Sequence, residues 1–86
     1  MNKVVFTEFA LDHYSDWARE NLRIFDKITA LLKDTRRNPF KGIGKPEPLK
    51  HHLKGRWPRR IDEKNRLIYQ VFPGEIHVLS CRGHYD

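Results

Sequence analysis

Residues 39–48 hold three prolines and two glycines, and the hydrophobic period of the chain changes across them. Upstream, Ile24, Ile28, Leu31 and Leu32 recur at helical spacing, with Arg23, Asp26, Lys27, Lys33 and Asp34 on the remaining faces. That is an amphipathic helix with one apolar stripe, and the stripe belongs in a core. The helix ends at Asn38–Pro39, because proline disfavours helical backbone in the residue before it. Downstream the period becomes two. Residues 53–62, 66–72 and 75–82 read as strands, with turns at Asp62–Asn65 and Pro73–Gly74. Helices before a rigid break and strands after it confine a short chain to one arrangement, a helical layer packed on a sheet.

The N-terminal third completes the pattern. Val4, Val5 and Phe6 form a short β-prone run over residues 3–7, after which Ala10, Tyr14 and Trp17 follow helical spacing with Thr7 as N-cap. A break between two helices is expected at Glu20–Asn21. The order is therefore β-α-α-β-β-β, an α+β class, and short connections predict an antiparallel sheet with two helices on one face. Residues 1–86 are expected to form a single domain. Alternation places Leu67, Tyr69 and Val71 on the helix-covered side, and Arg66, Ile68 and Gln70 on the other. Of Arg59 and Arg60, at least one must point away from the core.

Composition narrows the function classes. A chain of 86 residues buries only roughly 60–65% of its unfolded surface, too little for a deep, enclosed cofactor pocket. No apolar run approaches the ~20 residues of a membrane span, and residues 1–6 lack the layout of a secretory signal. Cys81 is the one cysteine, which excludes an internal disulfide and makes a reducing cytoplasm the expected compartment. Charge is the strongest pointer. Through Asp34 there are five Lys/Arg against six Asp/Glu; from Thr35 onward there are twelve against five. So concentrated a positive field suits a polyanion, and nucleic acid is the natural partner. A basic face for an acidic protein is the alternative.

Metal and nucleophile chemistries fit poorly. His13, His51, His52, His77, His84 and Cys81 show no paired zinc-ligand spacing. Cys81 lies in an apolar strand, where a buried, inert thiol is expected. Gly42-Ile43-Gly44-Lys45 lacks the length and the Ser/Thr of a phosphate-binding loop. What remains is chemistry by Glu, His, Arg and Lys without metal or cofactor. Cleavage of RNA through its own 2′-hydroxyl suits that inventory: it needs a base, cations for the phosphorane and an acid for the departing 5′-oxygen. Glu47 in the proline-rich loop, Arg60 and Arg66 on strands, and His84 near the C-terminus are the candidates. Each also has an ordinary reading, as loop carboxylate, salt-bridge partner or tail residue.

The run Lys45-Pro-Glu-Pro-Leu-Lys50, preceded by Lys33-Asp-Thr-Arg-Arg-Asn-Pro39, resembles the signature of the YoeB/Txe toxins, in the RelE-like superfamily of type II toxin–antitoxin modules. The likeness continues through His51-His-Leu-Lys-Gly-Arg-Trp57, Arg59-Arg-Ile61 and Arg66-Leu-Ile-Tyr69, and closes on Cys81-Arg-Gly-His-Tyr85. It implies a RelE-like microbial RNase fold and a ribosome-dependent mRNA endonuclease that cuts in the ribosomal A site and inhibits translation. By motif it implies Glu47 as general base, Arg66 as the cation on the scissile phosphate and His84 as general acid. It further implies Lys50, Arg60 and Tyr85 as substrate-binding residues; Lys50 and Tyr85 rest on the resemblance alone. The implied partners are mRNA, ribosomal RNA, a cognate YefM/Axe-like (Phd-type) antitoxin and, in a homodimer, a second copy. Two features depart from the family pattern: Gly83 stands where many relatives carry an aromatic residue, and Asp86 follows Tyr85. A non-catalytic ribosome- or RNA-binding translation inhibitor is the competing reading.

Overall fold

The computed structural model describes residues 1–83. Strand β1 (Lys3–Phe6) leads into helix α1 (Glu8–Glu20) and helix α2 (Leu22–Arg37). After the proline-rich loop and a 3₁₀ turn at His51–Leu53 come β2 (Arg56–Arg60), β3 (Arg66–Phe72) and β4 (Glu75–Ser80). The element order is that expected from the sequence, and so are the helix boundaries. Thr7 Oγ1 accepts from the Ala10 amide at 3.0 Å and caps α1. Asn21 serves both helices. Its extended backbone donates to Trp17 O, closing α1, while its side chain accepts from the Ile24 amide, opening α2. One residue thus turns the chain between two helices.

The sheet order is β1-β4-β3-β2. The β2–β3 and β3–β4 pairs are antiparallel, as short hairpins require, but β1 pairs with β4 in parallel. The sheet is therefore mixed rather than wholly antiparallel. Only hairpin-linked strands have their direction set by a short turn. β1 instead reaches the sheet edge with a helical pair after it, and its direction follows the burial of Val4 and Phe6 beneath those helices. The strands are also shorter than the alternation suggests. Leu53 belongs to the 3₁₀ turn, and Gly55, at φ +96°, redirects the chain into β2. At the far end the Cys81 amide leaves the ladder and donates to His13 Nδ1 at 3.1 Å.

The core lies between the helices and one sheet face. Ala10 and Trp17 of α1 and Ile28, Leu31 and Leu32 of α2 pack against Ile61, Leu67, Tyr69, Ile76, Val78 and Cys81. Leu67 and Tyr69 are fully buried on the expected face, with Val71 partly buried beside them. Register puts Arg59 opposite Leu67 and Trp57 opposite Tyr69. Arg59 accordingly points inward, and its side chain has 0% exposure. Its guanidinium bonds Asp34 Oδ2 (2.6 Å), Asn38 O (2.6 Å), Lys41 O (3.0 Å), Ile43 O (3.0 Å) and Tyr69 Oη (3.1 Å). Asp34 Oδ2 also accepts from the Ile43 amide at 2.9 Å. That amide, then Arg59, holds the Asp34 carboxyl below the usual carboxylate range.

Because that pKa is lowered in the fold, Asp34 contributes stability that is complete above the unfolded-state value near ~4 and is lost as pH falls through the folded one. Asp34→Asn leaves Arg59 buried without its counter-charge, at a cost of about 3–5 kcal/mol. Denaturant titrations should show that loss at neutral pH. Below pH ~4 the variant's stability should fall less steeply than that of the wild type.

Candidate active site

Glu47 lies on a segment tied along the free edge of β2. Gly44 O accepts from the Arg60 amide at 2.7 Å, and the Leu49 amide donates to Arg56 O at 3.0 Å. Between these ties Pro46 and Pro48 have no amide proton, so the segment follows the edge without becoming a fifth strand. The prolines also restrict the backbone on both sides of Glu47. Lys45, at φ +52°, adds a left-handed kink immediately before Pro46. Gly44 is fixed from behind. A Cβ there would lie 2.9 Å from both Arg59 Cβ and Leu31 Cδ2, at a φ of +81°. The buried arginine therefore holds the base of the loop that presents Glu47.

Glu47 faces the open side of the sheet. Gly44, Lys45, Glu47, Pro58, Arg60 and Arg66 line a recess of about 120 Å³ there. Arg60 and Arg66 are directly paired across β2 and β3. Like charges in that position repel, and a bound anion relieves the repulsion. Arg66 is aimed by its own turn. Its Nη1 donates to the carbonyls of Asp62, Glu63 and Asn65. No described residue pairs with the Glu47 carboxylate. A carboxylate, two arginines and a lysine around one recess suit a proton transfer beside a phosphate.

Three of the six residues singled out from sequence, Glu47, Arg60 and Arg66, come together here. Lys50 does not line the recess; it is exposed at the start of the 3₁₀ turn. His84 and Tyr85 lie outside the described residues. The chain just before them is placed. The Gly83 amide donates to Asn65 Oδ1 at 2.8 Å, and Gly83 O accepts from the Arg66 amide at 2.9 Å. Sequence reasoning missed Asn65, although an Asp-x-x-Asn turn before a strand was a visible signal. Asp62 Oδ1 caps that turn through the Lys64 and Asn65 amides at 2.9 and 2.7 Å. It also missed Pro58, whose place in the recess depends on how the loop meets the edge. Cys81 is buried, and burial pushes its thiol up to about 12, as an inert core cysteine requires. His13 is held low, first by burial and then by Arg82, which suits its neutral role as acceptor for the Cys81 amide.

Asn65→Ala removes the acceptor of the Gly83 amide. With a net hydrogen-bond contribution of ~1 kcal/mol, exchange of that amide should accelerate about fivefold, while the Tyr69 amide in the middle of β3 keeps its protection. Equal acceleration at both would show that Asn65 supports the sheet rather than the attachment of Gly83.

The sequence matches the family model described as "YoeB-like toxin of bacterial type II toxin-antitoxin system" over residues 6–85. It is 49% identical to Toxin YoeB of Escherichia coli (strain K12), over 96% of this chain and 99% of that protein. The fold superposes on a YoeB dimer from Staphylococcus aureus with a TM-score of 0.89 at 38% identity, covering 98% of each chain. It superposes on the toxin of a YoeB–YefM complex from the same organism with a TM-score of 0.88 at 38% identity, covering 99% of each. The match spans the loop that carries Glu47, the strands that carry Arg60 and Arg66, and the motif around His84: the chain belongs to the YoeB-like toxins of bacterial type II toxin–antitoxin systems.

Proposed function

We propose that this protein is a ribosome-dependent mRNA endonuclease, cutting the message in the ribosomal A site and so inhibiting translation. The observation that carries the proposal is the meeting of Glu47, Arg60 and Arg66 around one recess beside Gly83. The Glu47 carboxylate takes the proton of the substrate's 2′-hydroxyl, and the 2′-oxygen attacks the adjacent phosphorus. Arg66 and Arg60 stabilise the charge that accumulates on the phosphorane. The P–O5′ bond then breaks, and His84 delivers a proton to the departing 5′-oxygen. The products are a 2′,3′-cyclic phosphate and a 5′-hydroxyl, so neither water nor a metal enters the balance. Among the described residues Arg66 is held through Nη1, and its other N–H groups serve the phosphate. Lys50 and Tyr85 position the strand, and the ribosome supplies the orientation that so small a protein does not build.

The partner follows from the same surface. A YefM-type antitoxin, acidic and folding as it binds, neutralises the basic face and displaces the C-terminal tail. The YefM complex and the YoeB dimer known for the Staphylococcus aureus relative support an antitoxin complex and a homodimer here. Among the described residues no helix is long and apolar enough to cross a membrane, and the site of action is the cytoplasm, where the ribosomes are. Co-expression of a YefM-type antitoxin should restore growth that the toxin alone arrests.

Primer extension on translating ribosomes tests the activity. Wild type should produce new 3′ ends within the A-site codon, carrying 2′,3′-cyclic phosphates. Glu47→Gln and His84→Ala should lower single-turnover cleavage at least about 100-fold. Stalled ribosomes on intact message would instead establish a translation inhibitor that acts by occupancy.

A further inference from the structure

The recess adjoins two further concavities. Beyond Lys45 and Arg60 a second concavity of about 470 Å³ is lined by Lys27, Gly44, Lys45, Arg60, Ile61, Asp62 and Glu63. It continues into a third, of about 410 Å³, which has Asn21, Arg23, Ile24 and Lys27 on one wall and Ile61 and Asp62 on the other. Gly44, Lys45 and Arg60 are shared by the first two, and Lys27, Ile61 and Asp62 by the last two. Through these shared residues the three concavities adjoin one another in order, from the candidate scissile position to the start of α2.

Their chemistry is that of a single-stranded RNA track. Cations occur along the whole length: Arg66, Arg60 and Lys45 at the recess, then Lys27, then Arg23. Three acidic residues lie on the same walls, Glu47 at the recess and Asp62 and Glu63 beyond it, and they do not balance five cations. The Asp62 carboxylate is engaged by the Lys64 and Asn65 amides and the Asn65 side chain of its own turn, which leaves Glu47 and Glu63. Arg23 stands in the first turn of α2, which holds no acidic residue. Ile24, half-buried, gives the far end a little apolar surface between its cations, while Ile61 beneath it is core. A positively charged groove that tracks the backbone is one of the two components of single-strand binding sites, and it is the one present here.

We infer that Arg23 and Lys27 form a substrate subsite that grips mRNA nucleotides flanking the scissile linkage, on one side of it only. The inference rests on the endonuclease reading for the identity of the strand. Continuity with the recess selects the substrate itself, rather than ribosomal RNA, as the occupant. Arg23 and Lys27 are positioning residues here: they set the affinity and register of the strand and take no part in the proton transfers.

The test uses the full chain and oligonucleotides made non-cleavable by 2′-O-methylation. Fluorescence anisotropy compares a dinucleotide with the same dinucleotide extended by several nucleotides on its 5′ or on its 3′ side. In wild type, extension on one side alone should tighten binding about tenfold. Arg23→Gln with Lys27→Gln should abolish that gain, leave dinucleotide binding unchanged and reduce the salt slope for the extended strand by about 1.4, or about 0.7 for each phosphate no longer neutralised. Lys33→Gln with Arg36→Gln removes the same charge outside the groove and should change neither. The inference is overturned if extension adds nothing in wild type, or if the groove variant keeps the gain. It is equally overturned if that variant loses dinucleotide and extended strand alike, which is a diffuse field effect. Unchanged oligonucleotide binding with weakened binding to vacant ribosomal subunits would assign the groove to ribosomal RNA. Ribosomal cleavage by wild type is scored separately, so failure of the endonuclease reading and failure of the subsite remain distinct.

Discussion

The structure depends on one buried cation. Arg59 sits at 0% exposure beneath the proline-rich loop, with Asp34 as counter-charge and three loop carbonyls and the Tyr69 hydroxyl as further acceptors. Tyr69 in turn donates to Pro39 O at 2.6 Å. A loop with three prolines and two glycines has few ladder hydrogen bonds of its own, and its carbonyls need donors where the loop is buried. One guanidinium supplies them in a planar fork that lysine does not have. The desolvation of the charge is offset because every nitrogen of the fork has a partner. Gly42 and Gly44 are small for the same reason: a Cβ at Gly42 would fall 1.9 Å from Asp34 Oδ2. The position of Glu47 is therefore decided by a residue that takes no part in the chemistry.

The residues of the recess are arranged by a different principle. Arg60 and Arg66 oppose each other across two strands, which costs stability in the free protein. The carbonyls of the 62–65 turn offset part of that cost by holding the Arg66 guanidinium. Such a pair favours an anion over water between the two guanidinium groups. Core and recess share one strand: Arg59 faces inward and Arg60, its neighbour, lines the recess.

Local patterns were legible in the sequence and long-range ones were not. The break at Asn21, the cap at Thr7 and the inward face of Leu67 and Tyr69 all follow from spacing within a few residues. The direction of β1 does not, because it is set by packing under helices rather than by a turn. Alternation states that Arg59 and Arg60 point to opposite sides; which of them is buried depends on Asp34, on a helix 25 positions away. Glu47, Arg60 and Arg66 were visible as charges and as family motifs, but their meeting at one recess needs the loop folded back along β2. Lys27 and Arg23 looked like the solvated face of an amphipathic helix. Their alignment with the recess comes from where α2 begins relative to Ile61.

One short turn serves two parts of the site at once. The carbonyls of Asp62, Glu63 and Asn65 hold the Arg66 guanidinium, and the Asn65 side chain accepts from the Gly83 amide. Asp62 in turn closes that turn on itself through the Lys64 and Asn65 amides. The orientation of a strand arginine and the approach of the C-terminal segment are thus geared to four consecutive residues, so a shift of the turn moves both together.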